Sequence, residues 1–181
     1  MDVIATIGKR EVDYLNPDYS EIKDIDYVED IEVLKEFSPK IMLIDEFIVD
    51  SYDWNLIEDI LNKINNDSLS GLITAFPFKT TKKILDSNFN KDLFDFYMIP
   101  INQLAYMMDS PSFLQKERDE LKELLESLNK KVIASKVLAA GIQMPEESFN
   151  FLKKIDYIDS ISIGVANEKE VKEDFSLLFN K

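Results

Sequence analysis

The chain alternates between short apolar runs and segments with a helical repeat. Runs with the length and β-branched content of buried strands cover residues 2–8, 40–46, 71–77, 95–102, 131–139 and 159–166. Apolar residues recur at steps of three and four in the ranges 53–64, 113–129 and 168–179, which predicts amphipathic helices. Strands that are apolar on both faces are typical of parallel sheets covered by helices. The pattern therefore predicts an α/β fold of six βα units.

Residues 25–30 are acid-rich and leave two alternatives, a seventh strand or the opening of a helix over 30–37. The chain has four glycines, and each lies at the edge of a predicted strand. Their spacing matches neither a G-x-G-x-x-G dinucleotide loop nor a P-loop. Both nucleotide-binding motifs are therefore excluded.

Composition narrows the function classes. The 181 residues show no break in composition, so we expect a single domain over residues 1–181. A net charge of -14 disfavours nucleic acid and anionic membranes as partners. The absence of cysteine and histidine removes thiolate nucleophiles, the commonest general base and the usual zinc ligands, so no metal site is predicted. Without a signal-like or membrane-spanning segment, we expect a cytoplasmic protein.

Four stretches resemble the later βα units of the aldo/keto-reductase-type TIM barrels, from that family's third strand onward. Residues 161–178 carry the most specific match, an apolar strand followed by a Gly-x-Ala-Asn segment and a helix. Weaker matches lie at 71–85, 95–108 and 132–141. The resemblance implies an incomplete or atypically closed (βα) barrel, and it implies NADP as a cofactor of the family.

The departures from this family concern its catalytic residues. No stretch of this sequence resembles the family's first two units, which supply its catalytic Asp and Tyr. Ile7 stands where the family has its lysine, Asp45 where it has its histidine, and Phe76 where divergent relatives have another histidine. Hydride transfer to a carbonyl needs a proton donor at the oxygen. We therefore expect a divergent barrel protein without classical carbonyl reduction.

Six strands are too few for an ordinary closed barrel, which needs at least about 200 residues. Two sheet edges would be exposed, near residues 3–6 and 160–164, and exposed edges are usually covered or paired. Residues 10–30 could cover them, because Val12, Tyr14, Leu15, Tyr19, Ile22, Ile25 and Tyr27 make this irregular segment apolar. A second copy of the chain could do the same, which predicts a homodimer.

Lys136 is the most unusual candidate, because it stands inside the apolar run 131–139. Lysine is among the residues least often buried. Strand alternation would place it on one face with Val132, Ala134 and Leu138, pointing into the barrel mouth. One alternative is a Schiff-base lysine, as in an aldolase or lyase. The other, which we favour, is an ion pair with Asp45 or Glu46.

Other polar residues at strand ends complete the candidate site. Asp45 could orient Lys136 or act as a base, or it could bind the turn amides after its strand. Thr74 and Asn102 are candidate ligand-binding residues, although Asn102 could equally close its own turn.

Gly164 and Asn167 precede the last predicted helix, where free amides suit a phosphate. Glu168, Glu170 and Glu173 would repel such a group, and Lys169 is the basic residue at hand. Two function classes stay open: an enzyme using Lys136 and Asp45 on a small molecule, and a non-catalytic binding or assembly module.

Overall fold

The structure is a computed structural model that describes residues 2–8, 11–14, 16–64 and 67–179. Its six parallel strands form one curled sheet in sequence order, a half-barrel, which confirms the predicted fold class. The strands are β1 (Ile4–Ile7), β2 (Ile41–Ile44), β3 (Leu69–Ile73), β4 (Phe96–Pro100), β5 (Lys131–Ser135) and β6 (Ser160–Ile161).

Helices connect the strands and cover the outer face of the sheet. They are α1 (Tyr27–Lys35), α2 (Glu46–Val49), α3 (Trp54–Ile64), α4 (Pro77–Asp86), α5 (Gln115–Leu128), α6 (Pro145–Leu152) and α7 (Glu168–Phe179). Short 3₁₀ helices lie at Tyr19–Asp24, Lys91–Leu93 and Ala139–Gly141. The three predicted amphipathic helices are confirmed as α3, α5 and α7. Residues 25–30 open helix α1, so the alternative of a seventh strand there was wrong.

Local chemistry sets where the longest helix begins and ends. The Glu117 carboxylate accepts a hydrogen bond of 2.9 Å from the Leu114 amide just before α5. Leu121, Leu125 and Leu128 form the buried stripe of this helix. Asn129 then adopts a left-handed conformation with φ of 54°, a backbone shape that stops a helix.

Along each strand, successive side chains point in turn toward the helices and toward the lumen. The Tyr97 hydroxyl contacts that of Thr81 on α4 at 3.1 Å, so this face of β4 looks toward the helices. The lumen face is closely filled, since a Cβ on Gly71 would stand 2.5 Å from the Phe96 carbonyl oxygen and 2.6 Å from Leu43 Cδ2. Only glycine fits at that point of β3.

Two predicted strands are shorter than their apolar runs. β5 ends at Ser135 instead of continuing to residue 139, because Lys136, Ala139 and Ala140 all have positive φ values. Left-handed residues cannot continue a strand. β6 pairs with β5 over two residues only, and the rest of the run 159–166 is loop. Residues 136–139 are buried or partly buried as the apolar pattern indicates, and backbone geometry ends that strand, whereas residues 159–166 are partly or fully exposed.

The sheet keeps two open edges, because among the described strands β1 pairs with β2 and β6 pairs with β5. A groove of about 920 Å³ lies between these edges and is lined by Ile4, Ile161, Phe175 and Phe179. Among the described helices, none is long and apolar enough to cross a bilayer.

Residues 10–30 were expected to cover the edges, and two described tyrosines of this segment make contacts elsewhere. The Tyr14 hydroxyl bonds to Asp45 at 3.1 Å, and the Tyr19 ring stacks on Phe47 of α2 at 5.6 Å. This part of the segment therefore packs over the start of α2, while its last residues belong to α1, which contacts the edge strand β1. Cover of the edges by the whole segment stays a prediction. Arg10 and Leu15 lie outside the described residues.

The homodimer stays a prediction, and the apolar groove gives it a test. We expect Phe175→Lys to lower the fraction of dimer at a given concentration at least about tenfold, since a buried charge opposes association. Sedimentation equilibrium measures this fraction. Leu114→Lys is the matched control, because Leu114 is also exposed but lies before α5 and outside the groove. A wild-type protein that stays monomeric at high concentration would contradict the prediction.

Candidate functional site

The C-terminal ends of the strands form the mouth of the half-barrel, and an ion pair spans it. Lys136 Nζ lies 2.9 Å from Glu46 Oε2 and 3.1 Å from Glu46 Oε1. Lys136 follows β5 and Glu46 opens α2 after β2, so the pair joins distant parts of the sheet. The expected ion pair is present, and Glu46 is the partner.

The route by which Lys136 reaches the mouth differs from the expected one. Val132 lies opposite Tyr97 in the register of β4 and β5, so Val132 and Ala134 face the helices and not the lumen. Lys136 stands beyond the strand with φ of 52°. A turn therefore aims its side chain, and strand alternation was the wrong reason.

Asp45 caps helix α2. Its carboxylate accepts hydrogen bonds from the Phe47 amide at 2.9 Å and from the Tyr14 hydroxyl at 3.1 Å. Burial raises the pKa of Asp45, although these two hydrogen bonds act to lower it. Gly8 is needed beside it, since a Cβ there would stand 2.6 Å from Asp45 Cβ. These contacts match the turn-binding alternative. A catalytic role for Asp45 stays a prediction, since its described hydrogen bonds go to the Phe47 amide and the Tyr14 hydroxyl.

Thr74 belongs to a buried cluster around Asp50. The Asp50 carboxylate accepts hydrogen bonds from the hydroxyl of Thr74, from the Thr80 hydroxyl at 2.8 Å and from the Ala75 amide at 2.9 Å. Burial raises the pKa of Asp50 to about 6 despite these donors. Asp50 was missed because it ends an apolar run, and the cluster ties α2 to the turn after β3.

Asn102 closes the loop after β4. Its side-chain amide donates to the Tyr106 carbonyl at 3.0 Å and to the Lys136 carbonyl at 3.3 Å, and its oxygen accepts from the Tyr106 amide at 2.8 Å. The residue is almost fully buried. These contacts match the turn-closing alternative and also fix the backbone of Lys136.

Gly164 and Asn167 flank the start of α7, where the family resemblance would place a phosphate. The Glu170 carboxylate already accepts from the Ala166 amide at 2.8 Å and from the Asn167 side chain at 2.8 Å. The nearby Lys169 is turned to Glu173 at 3.5 Å and is largely exposed. An anion would meet carboxylates here, so these residues do not fit the phosphates of NADP.

An open cavity of about 710 Å³ lies at the mouth between the loops after β4, β5 and β6. Its lining includes Tyr106, Lys136, Leu138, Gln143, Gly164 and Asp174. Of the predicted site residues, it brings together Lys136 and Gly164. Asp45, Thr74, Asn102 and Asn167 do not line it, so the predicted residues do not converge on one pocket.

Two residues of this cavity were missed. Gln143 is 7% exposed, and its Oε1 has no hydrogen-bond partner within the described chain. Asp174 is 5% exposed, and burial, followed by the charges of Glu170 and Glu173, raises its pKa. A signal for Asp174 existed, because it interrupts the apolar side of α7 between Val171 and Leu178. For Gln143 the sequence offers none.

Within residues 2–8, 11–14, 16–64 and 67–179, no group of three or more acidic side chains is arranged to hold a metal ion.

The sequence matches no known family and no curated protein. Three solved structures with similar folds are an aldo-keto reductase-like protein from Pseudomonas aeruginosa, dihydrodipicolinate synthase from Bacillus anthracis and orotidine 5'-monophosphate decarboxylase from Methanocaldococcus jannaschii. Their sequence identities are 16%, 13% and 16%, and their TM-scores are 0.63, 0.59 and 0.59. The alignments cover 97%, 99% and 98% of this chain and 66%, 61% and 73% of those chains.

These similarities define the class of fold. At such identities they show a TIM-barrel-like architecture, of which the present chain forms a part. The three proteins differ in activity, so the fold by itself selects none of them. A candidate function therefore has to be inferred from the residues at the mouth of this half-barrel.

Proposed function

We propose that this protein binds a small molecule in the mouth cavity and is a divergent relative of the aldo/keto-reductase-like barrels without their carbonyl-reducing activity. The observation that carries the proposal is the cavity of about 710 Å³ beside Lys136 and Gly164, a size typical of ligand pockets. It lies where barrel proteins build their sites, at the C-terminal ends of the strands.

The side chains around the mouth argue against carbonyl reduction. Ile7 is fully buried and has no proton to give, and Asp45 is occupied by the start of α2. The Glu170 cap on α7 disfavours NADP, so no cofactor is part of the proposal. Ligand binding needs none of these groups.

A Schiff-base enzyme using Lys136 is the second candidate, since an amine at a barrel mouth can attack a carbonyl. In the bidentate contact the Lys136 nitrogen donates hydrogen bonds to both oxygens of Glu46, so it is engaged in an ion pair instead of being free to attack a carbonyl. We therefore expect Lys136 to hold the mouth together and orient a ligand.

An activity test separates these readings. We expect the pure protein to show no NADPH oxidation with a panel of aldehydes and ketones, and no adduct after borohydride treatment with the same panel. Mass spectrometry of the peptides detects any adduct. Specific labelling of Lys136 would establish the Schiff-base alternative. If the protein oxidises NADPH and mutation of the mouth abolishes this activity, the proposal that it lacks carbonyl reduction is wrong.

Binding itself is measured by NMR titration of the ¹⁵N-labelled protein with small polar fragments. We expect saturable amide shifts around Lys136, Leu138 and Gly164. Leu69, which opens β3 at the end of the sheet opposite the mouth, is the internal control and should not shift. A protein whose mouth amides respond to no fragment would overturn the proposed function.

A further inference from the structure

One buried acceptor of the mouth cavity has no hydrogen-bond partner. Gln143 Oε1 is fully buried and has no donor within the described chain. Asp174 lies on the same cavity wall; the residue is more than nine-tenths buried, its carboxylate keeps some contact with solvent, and it forms no hydrogen bond or ion pair with the described residues. A buried acceptor is normally paired, so a ligand with an N–H donor would complete Gln143 Oε1.

The other charges of the cavity are already matched within the protein. Lys136 is bound by Glu46, Glu170 caps α7, and Glu173 faces Lys169. Among the described carboxylates that line the cavity, Asp174 is left with neither an ion pair nor a hydrogen bond, whereas Glu170 is held by the Ala166 amide and Glu173 by Lys169. Burial, followed by the charges of Glu170 and Glu173, raises the pKa of Asp174, as is usual for a carboxylate without a nearby cation.

We propose that the mouth cavity binds an organic cation, a primary ammonium or guanidinium group on a short apolar chain. Asp174 pairs with the cationic group, and Gln143 Oε1 accepts one of its N–H bonds. This inference rests on the proposed function and names the ligand class for the same site.

The shape and field of the site suit such a ligand. Apolar walls at Val137, Leu138, Met144 and Pro145 offer contact to an alkyl chain beside the polar groups. The net charge of -14 attracts cations to the protein from a distance and repels anions. A carboxylate paired with an ammonium or guanidinium group forms the stronger kind of hydrogen bond.

The test is an NMR titration of the full chain at fixed ionic strength with four probes: butylammonium, butylguanidinium, butanol and butanoate. We expect saturable shifts of the mouth amides with the two cations and none with butanol or butanoate. The four probes share the same alkyl chain, so the comparison isolates the charged group.

Variants assign the contacts. Asp174→Asn should weaken butylguanidinium binding about tenfold, and Gln143→Leu about threefold, which is typical of losing one charge-assisted and one ordinary hydrogen bond. Glu168→Gln is the matched control, since it removes a charge from the same helix outside the cavity, and it should change affinity by less than about twofold. Gln143→Leu should fold normally, because Oε1 has no partner to lose.

The outcomes separate the two proposals. Equal binding of butanol or butanoate, or cation binding that Asp174→Asn leaves unchanged, would overturn the cation inference while small-molecule binding stands. Mouth amides that respond neither to the four probes nor to the fragments would overturn both.

Discussion

The wild-type protein is expected to lose about 3 kcal/mol of stability through Asp50 alone as the pH rises from about 4 to 7, and Asp50→Asn is expected to remove that loss. The figure follows from a pKa raised from 3.8 to about 6, at about 1.4 kcal/mol for each tenfold change in proton affinity. Asp50 is 3% exposed, so solvent screening is weak.

The sign follows from which state holds the proton more tightly. Because the pKa of Asp50 is higher in the folded protein, the folded state binds more protons between about pH 4 and 6. The stabilising contribution is therefore complete below the unfolded pKa and is lost as the pH passes the folded value. Asparagine keeps the shape, accepts from the Ala75 amide and donates to the threonine hydroxyls without carrying a charge.

Urea unfolding of wild type and Asp50→Asn at several pH values measures the difference between their free energies of unfolding. The difference removes the contribution of the other acidic groups that the two proteins share. Asp86→Asn, an exposed aspartate on α4, is the control and should follow the wild-type pH dependence. A constant difference between wild type and Asp50→Asn over this pH range would refute the account of the cluster.

The sheet was predictable because apolar runs and helical repeats report burial directly. Each predicted strand contains or overlaps an observed one, and the register puts them in sequence order. Their ends were not predictable in the same way. Val137 and Leu138 are apolar and at least partly buried, yet they lie in a turn, because positive φ at Lys136 and Ala139 depends on tertiary contacts such as Asn102 to the Lys136 carbonyl.

The site was predictable only in part. A charge inside an apolar run marked Lys136, and an acidic strand end marked Glu46 as a partner. Asp45, Thr74 and Asn102 were marked by the same rule, but their side chains serve caps and turns, which use the same residue types as ligand sites. Gln143 and Asp174 become candidates only when the structure shows that Gln143 Oε1 is buried without a partner and that both residues line one cavity.

Removing the Lys136 ammonium is expected to destabilise the protein more than removing a surface charge. Lys136→Met leaves Glu46, whose side chain is 14% exposed, without its cation. Unpairing a fully buried ion costs about 3–5 kcal/mol, and the 25% exposure of Lys136 lowers our expectation to about 2 kcal/mol. Urea unfolding measures the loss.

A double-mutant cycle distinguishes an unpaired charge from lost packing. Adding Glu46→Gln to Lys136→Met should recover most of the lost stability, since no charge is then left without a partner. Lys131→Met is the matched control, because Lys131 opens β5, the strand that Lys136 follows, and pairs with Asp159 at 2.8 Å, but its side chain is 66% exposed. That change should cost at most about 1 kcal/mol, as is usual for surface pairs. If Lys136→Met costs no more than Lys131→Met, the ion pair does not hold the two sides of the mouth together. Lys136 would then be available for the chemistry of its amine, and the borohydride experiment would become the decisive one.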